Sequence, residues 1–325
     1  MTNDQTQKET LLRIKDLEVH YNTRMGIVRA VDRVGLTVER GQTLGLVGES
    51  GCGKSTLGFS ILRLVPPPGR IVGGQIIFDG EDLLAKSEEE MRKIRGKRIS
   101  MIFQDPMTSL NPLERIGEHI IETIRTHEKE TSKEAAWRRA EELADRLGIL
   151  PSRLSDYPHQ FSGGMRQRVM IGLALALNSD LVIADEPTTS LDVIVEAQIL
   201  ELLKELKEAY NLTLILITHN LGVVAELADR VAVMYAGKIV EVADSVPLYT
   251  DPLHPYTQGL LRSIPNISLE AQKLETMPGS PPDLVNPPPG CRFHPRCPHA
   301  MEKCSQVEPP LKEVEPGRWV ACWLY

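Results

Sequence analysis

The sequence predicts an α/β fold of alternating strands and helices, followed by a small, irregular Cys- and Pro-rich C-terminal extension. Three observations carry this. A glycine-rich turn, residues 48–55, lies between an apolar strand-like run and a helix-like run. Two short apolar runs, Leu181–Asp185 and Thr213–Thr218, flank the helical stretch Val193–Tyr210, the pattern of buried parallel strands joined by a crossover helix. Beyond Asp251 the composition turns sharply to Pro, Gly, Cys and His, and the alternation stops.

Taken in order, LLRIKDLEVHY, VRAVDRVGLTVE, QTLGLVG and GGQIIFDG read as short strands between Leu11 and Phe78. A helix starts inside GCGKSTLGFSILRLV and is stopped by Pro66, Pro67, Pro68 and Gly69, because consecutive prolines cannot continue it. Residues 87–147 are charged and mostly helical in pattern. The tail beyond Asp251 is expected to stand apart from the sheet.

The bulk properties bound the function. A chain of 325 residues suggests about two domains, and 42% hydrophobic with 25% charged residues supports a real core. The net charge is −7, with Lys and Arg spread along the chain. Nucleic acid as the main partner is thereby disfavoured, since backbone-phosphate binding is built on clustered basic residues. No apolar run approaches the roughly 18 residues of a membrane-spanning helix, and the polar start MTNDQTQKET lacks a signal-peptide core. The expectation is a cytoplasmic protein that reaches a membrane only through partner subunits. Five cysteines in that setting point to metal or redox chemistry before disulfides.

Gly48-Glu49-Ser50-Gly51-Cys52-Gly53-Lys54-Ser55 fits G-x-x-x-x-G-K-[ST] between a strand and a helix, the context that gives this motif meaning. Gly48, Gly51 and Gly53 let backbone N–H groups, those of Ser50, Cys52 and the helix start at Thr56 among them, turn toward phosphate oxygens. Lys54 is expected to reach the β- and γ-phosphates of ATP, and the Ser55 hydroxyl to ligate Mg²⁺. A glycine-rich strand–helix turn with no ligand is the bland alternative.

Asp185 and Glu186 end a wholly apolar strand. Adjacent carboxylates at the carboxyl end of a buried strand are costly unless they serve a cation or a reaction. Asp185 is expected to hold Mg²⁺, and Glu186 to polarise the water attacking the γ-phosphate, a role worth about 10² to 10⁴ in rate. A capping pair is the alternative, weakened by Pro187. His219 directly follows the strand Thr213–Thr218, at the strand end where ligands gather in such sheets, and a hydrogen bond to the γ-phosphate is expected of it.

Between the loop and the acid pair, Phe161-Ser162-Gly163-Gly164-Met165-Arg166-Gln167-Arg168 resembles the signature of the ATP-binding-cassette ATPases. It departs from the commonest form at Phe161, usually Leu, and Met165, usually Gln. Ser162, Gly163 and Gly164 keep the hydroxyl and bare amides that can meet phosphate. Gln104 in MIFQDP resembles the family's glutamine at Mg²⁺ and the γ-phosphate. Ser190-Leu191-Asp192 resembles the loop that crosses between two ATP sites, with a helix cap as the plainer reading of Asp192. Tyr21 resembles the aromatic residue that stacks on adenine, with a structural strand tyrosine as the alternative.

These matches span about residues 10–245. The resemblance implies a P-loop NTPase: a RecA-like core, an antiparallel β subdomain, and a helical subdomain over about 86–164, all within 1–250. In the family two such domains dimerise head to tail. Each ATP then lies between the phosphate loop of one chain and the signature of the other, while the helical subdomain engages the membrane subunits.

The tail narrows the class. DPLHPYTQGLL and PGCRFHPRCP closely resemble the extension of peptide-importer ATPases, 251–325 here; nickel and some oligosaccharide importers carry related tails. The resemblance implies a second homologous ATPase as heterodimer partner, two transmembrane permeases, an extracytoplasmic solute-binding protein, and a place on the cytoplasmic face of the cell membrane. Cys291, Cys297, Cys304 and Cys322 are separated by five, six and seventeen residues. Their spacing leaves iron–sulfur, zinc (with His294 or His299 as substitute ligand), thiols and disulfides open. The family resemblance favours a [4Fe–4S] cluster acting as a structural staple. A soluble cassette ATPase working on DNA or ribosomes is the rival from another class. It is disfavoured by the absence of a long coiled-coil insertion or a second cassette. An iron–sulfur redox protein with a vestigial nucleotide site is disfavoured by intact Lys54, Asp185, Glu186 and His219.

Overall fold

The computed structural model describes residues 9–189, 191–263 and 277–325, apart from the Met107 side chain. Ser190, read above with the crossing loop, lies outside the described residues. The chain divides into two compact units, one of 1–85 with 217–325 and one of 86–216.

In the first unit, β1 (Thr10–Thr23) pairs antiparallel with β2 (Gly26–Glu39). The interior strand β3 (Thr43–Val47) is buried at every position and leads into the phosphate loop and α1 (Lys54–Ile61). After the prolines, β4 (Gly69–Phe78) pairs antiparallel with β1, and β5 (Glu81–Asp82) with β4. The resulting order β2-β1-β4-β5 is an antiparallel sheet. The strand β4 is longer than GGQIIFDG suggests, because Gly69–Ile71 pair with Tyr21, His20 and Val19 across the sheet, a gain no local pattern announces.

The second unit opens with α2 (Glu88–Ile94), held by a capping box in which Ser87 and Glu90 satisfy each other's backbone N–H. A strand, β6 (Ile99–Ile102), follows inside the stretch expected to be helical. Its ISMI run is entirely buried and pairs parallel with a later strand, so tertiary pairing overrides the charged flanks. Next come α3 (Pro106–Ser109), α4 (Ile116–His127) and α5 (Lys133–Arg146). Ile116, Ile120 and Ile124 form the buried stripe of α4, and Gly117 lets Trp137 approach, since a Cβ there would meet its ring at 2.8 Å. The signature helix α6 (Gly163–Leu175) precedes β7 (Leu181–Asp185), which is the parallel partner of β6. Then α7 (Val193–Tyr210) runs to Asn211, whose left-handed φ of 46° closes it. The strand β8 (Thr213–Thr218), fully buried, carries the chain out of this unit.

Back in the first unit, α8 (Leu221–Leu227) leads to β9 (Arg230–Tyr235), parallel to β3, and β10 (Lys238–Asp244), antiparallel to β9. Then follow α9 (Ser245–Thr250), α10 (Pro255–Arg262), α11 (Glu302–Gln306), β11 (Lys312–Glu315) and β12 (Arg318–Val320). Here one expectation is corrected: the tail is part of the sheet. Glu241 and Val242 of β10 pair with Val320 and Trp319 of β12, giving the order β11-β12-β10-β9-β3. The open edge of β10 needed a partner for its N–H and C=O groups, and a short distal hairpin supplies it. Among the described residues no helix is long and apolar enough to cross a membrane.

Candidate active site

The phosphate loop is built by steric necessity. Gly48 has φ 153° and Gly53 φ 108°. A Cβ on Gly48 would meet the Met234 carbonyl oxygen at 2.1 Å, and one on Gly53 the Ala30 carbonyl oxygen at 2.1 Å. Gly51, with φ 78°, has open space around it, so its need is conformational alone. Lys54 is 4% exposed, and its ammonium donates to the carbonyl oxygens of Gly48 at 2.8 Å and Glu49 at 3.0 Å. These bonds arch the lysine over the loop. The Gly237 N–H donates to the Cys52 carbonyl at 2.9 Å, tying the loop to the β9–β10 turn. Cys52 is buried, and burial pushes its thiol pKa up, so it is a packing residue. Ser50 is exposed, whereas Ser55 and Thr56 stand half-buried in the first turn of α1. A loop of backbone amides at a helix start with a lysine arched over it suits a polyphosphate, so the residues fit ATP.

Tyr21 lies on β1 opposite Gly69 of β4. A Cβ on Gly69 would meet the tyrosine ring at 2.6 Å, so the ring covers that glycine. Its hydroxyl is 3.3 Å from the Thr56 hydroxyl, which sets the ring beside the first turn of α1. His219 is exposed immediately after β8. Its neighbour Asn220 donates its backbone N–H to the Thr218 hydroxyl at 3.0 Å and caps α8 through Gly222 N–H at 3.0 Å. The backbone on either side of the histidine is therefore fixed.

In the second unit the acid pair behaves asymmetrically. Asp185 closes β7 and is 2% exposed. Glu186 follows it with φ 47°, a left-handed conformation costly for a side chain with a Cβ and characteristic of functional turns. One Glu186 carboxylate oxygen accepts the Thr189 hydroxyl at 2.7 Å and the Gln104 side-chain amide at 3.4 Å. Gln104 and Glu186 are thus brought together across 82 residues. Nothing in the sequence marks Thr189: a threonine three residues on carries no distinctive signal until the turn folds it back.

The signature occupies the start of α6. Ser162 caps it, accepting the Met165 N–H at 3.3 Å. A Cβ on Gly164 would meet Val195 at 2.4 Å, so this glycine is required by packing against α7, whereas one on Gly163 would find only ordinary contact with Leu191 at 3.7 Å. Asp192 is the N-cap of α7, accepting the N–H groups of Ile194 at 3.1 Å and Val195 at 3.0 Å, which is the plainer of the two readings its sequence allowed.

In the extension, burial pushes the Cys291 thiol up to about 11 and raises those of Cys297 and Cys322, each within electrostatic reach of others of the four. The Cys291 N–H donates to the Cys304 carbonyl at 2.8 Å. Among the described residues no three His, Cys, Asp or Glu side chains are grouped to hold a metal ion; four thiolates on one zinc would stand about 4 Å apart. Four thiols of one segment are donors that suit either structural zinc or an iron–sulfur cluster. His294 is held locally, its Nδ1 2.9 Å from the Cys291 carbonyl oxygen.

Known proteins place the chain in a family. Residues 31–189 match the family model described as ABC transporter, and 240–304 that described as oligopeptide/dipeptide transporter, C-terminal region. The oligopeptide transport ATP-binding protein OppD of Bacillus subtilis (strain 168) is 51% identical over 318 residues, 97% of this chain and 88% of that protein. OppD of Escherichia coli (strain K12) is 48% identical over 321 residues, 98% and 94% of the two chains. The dipeptide transport ATP-binding protein DppD of Bacillus subtilis (strain 168) is 48% identical over 319, 97% and 95%. A solved dimeric ATP-binding cassette in a post-hydrolysis state, bound to ADP and Pi, superposes with a TM-score of 0.64 at 27% identity, covering 72% of this chain and 99% of that one. With an intact phosphate loop, a signature helix and an acid pair in one chain, and relatives of this identity along nearly its whole length, the protein belongs to the ATP-binding subunits of ABC transporters, in the family that carries the oligopeptide/dipeptide transporter C-terminal region.

Proposed function

We propose that this ATPase powers the import of di- and oligopeptides across the cytoplasmic membrane. The observation that carries it is the near-complete correspondence with peptide-transport relatives, extension included. The reading assigns the subunit to the cytoplasmic face of the membrane. There it works with a second, homologous ATPase as a heterodimer, two transmembrane permeases and an extracytoplasmic solute-binding protein.

In this reading Lys54 and the amides of 48–56 hold the triphosphate, and Tyr21 stacks on adenine. Ser55, Asp185 and Gln104 hold Mg²⁺, which supplies charge neutralisation at the β- and γ-phosphates. Glu186 takes the proton of the attacking water, its carboxylate oriented by Thr189 and Gln104, and His219 donates to the γ-phosphate. Ser162, Gly163, Gly164 and Asp192 complete the ATP site of the partner subunit. ATP then favours the closed dimer and hydrolysis releases it, a population shift. Cys291, Cys297, Cys304 and Cys322 hold a [4Fe–4S] cluster as a staple for an extension poor in apolar core.

The test is reconstitution with the permeases in proteoliposomes. Binding protein loaded with peptide should stimulate ATP hydrolysis and peptide uptake together. Stimulation by nickel- or oligosaccharide-loaded binding protein, with none by peptide, would assign the machinery to another cargo.

A further inference from the structure

Glu49 puts a carboxylate inside a loop that must receive a polyanion. Arg296 answers it with a two-pronged pair, Nη1 to Oε2 at 2.8 Å and Nη2 to Oε1 at 3.0 Å. The same residue is held at its backbone, where the Glu49 N–H donates to the Tyr256 hydroxyl at 2.9 Å. Both partners belong to the extension, 247 and 207 residues further along. Neither is a loose surface contact. The Arg296 side chain is 6% exposed, and its Nε–H donates to the Pro278 carbonyl at 2.8 Å. The Tyr256 ring is fully buried against Tyr235 and Phe293, with centroids at 4.5 and 5.4 Å.

We propose that the C-terminal extension positions the phosphate loop. Arg296 neutralises and aims the Glu49 carboxylate, and Tyr256 fixes the Glu49 amide, so the loop is ordered and its one carboxylate is paired before nucleotide arrives. Preorganisation of this kind lowers the ordering cost of binding, and a paired carboxylate repels the triphosphate less than a bare one. Arg296 and Tyr256 are positioning residues, acting on nucleotide through Glu49. The inference rests on residues 48–55 being the nucleotide loop, and it gives the extension a role in ATP affinity that is separate from cargo and from the cysteines.

The experiment measures the Kd of Mg–ATP for the full-length chain, and KM and kcat in the assembled transporter. Tyr256→Phe removes one hydroxyl and keeps the ring, so the fold survives. It and Arg296→Gln should raise Kd and KM about three- to tenfold with kcat within about twofold. Arg296→Lys, which keeps the charge but loses the planar fork, should fall between Arg296→Gln and the parent. Adding Glu49→Gln to Arg296→Gln should restore part of the affinity by removing the orphaned carboxylate; an arginine that merely supports the fold would show no such rescue. Parental Kd in Tyr256→Phe, or an unrescued Arg296→Gln, overturns the proposal. Lys54→Ala separates the two levels: if it still binds ATP, the loop assignment itself fails. If it does not bind ATP while Tyr256→Phe binds like the parent, only the positioning role fails.

Discussion

The side-chain amide of Gln104 reaches the carboxylate of Glu186 at 3.4 Å. A residue after one buried strand, β6, and a residue after its parallel neighbour, β7, therefore meet at the strand ends. The shared carboxylate oxygen also takes the Thr189 hydroxyl, leaving Glu186 oriented rather than mobile.

Glu186→Gln should bind Mg–ATP with parental affinity and lose about 10²- to 10⁴-fold in turnover, the range for a positioned base. Phosphate release under saturating ATP measures it. Turnover near the parental rate would move the base elsewhere. Thr189→Val, which removes only the orienting hydroxyl, should lose about tenfold.

Three loop glycines separate steric from conformational demand. Gly48→Ala and Gly53→Ala place a Cβ 2.1 Å from a backbone oxygen and should cost more than about 3 kcal/mol, with loss of nucleotide binding. Gly51→Ala meets no atom and should cost only about 1 to 2 kcal/mol for its positive φ. Denaturant titration of the three variants would refute this ordering if Gly51→Ala proved the worst.

The signature glycines should divide in the same way. Gly164→Ala drives a methyl into Val195 and should lower stability by about 1 to 3 kcal/mol, with recovery in the double variant with Val195→Ala. Gly163→Ala fits sterically, so its stability should stay within about 0.5 to 1 kcal/mol of the parent. Its ATPase activity should nevertheless collapse if its bare amide serves the partner's nucleotide. Full activity in that variant would remove Gly163 from the site.

The extension should loosen in mild acid. Burial pushes the His254 pKa down to about 3 from an ordinary value of 6.5, while its Nδ1 accepts the Tyr256 N–H at 3.0 Å. The unfolded chain therefore binds the proton first. Stability from this group is fully present above about pH 6.5 and falls as pH drops toward 3, by up to about 1.4 kcal/mol per unit. Glu241, which burial raises, acts in the opposite sense above about pH 4.5, since a proton stabilises its folded form. The difference between the parent and His254→Asn in urea titrations from pH 7.5 to 5 isolates the histidine. Parallel curves would show that the histidine titrates alike in the folded and unfolded chain.

Protein purified without oxygen should be brown and hold about four irons per chain, with the colour lost in Cys297→Ser. A colourless preparation with stoichiometric zinc would replace the cluster with a zinc site.

The local chemistry was legible in the order of residues. The strand–loop–helix at 48–61, the buried runs ending at Asp185 and Thr218, and the cap before Val193 each follow from periodicity, turn residues and the absence of a solvated face. Short-range rules act over a few residues, so a single chain displays them directly. The strand Ile99–Ile102 was hidden because four apolar residues in a charged stretch have no period of their own, and only pairing with β7 makes them a strand.

What tertiary structure alone decided is everything joined across long separations. The tail completes the edge of β10 instead of standing apart. Glu49, the second residue of the loop motif, is clasped by Arg296 and Tyr256, and Glu241 holds the start of the extension by accepting the N–H groups of Leu253 and His254 at 2.8 and 2.9 Å. The reason is physical: a buried charge or an unpaired backbone group must find a partner, but composition and spacing do not say which distant residue answers it. That choice is made by the fold.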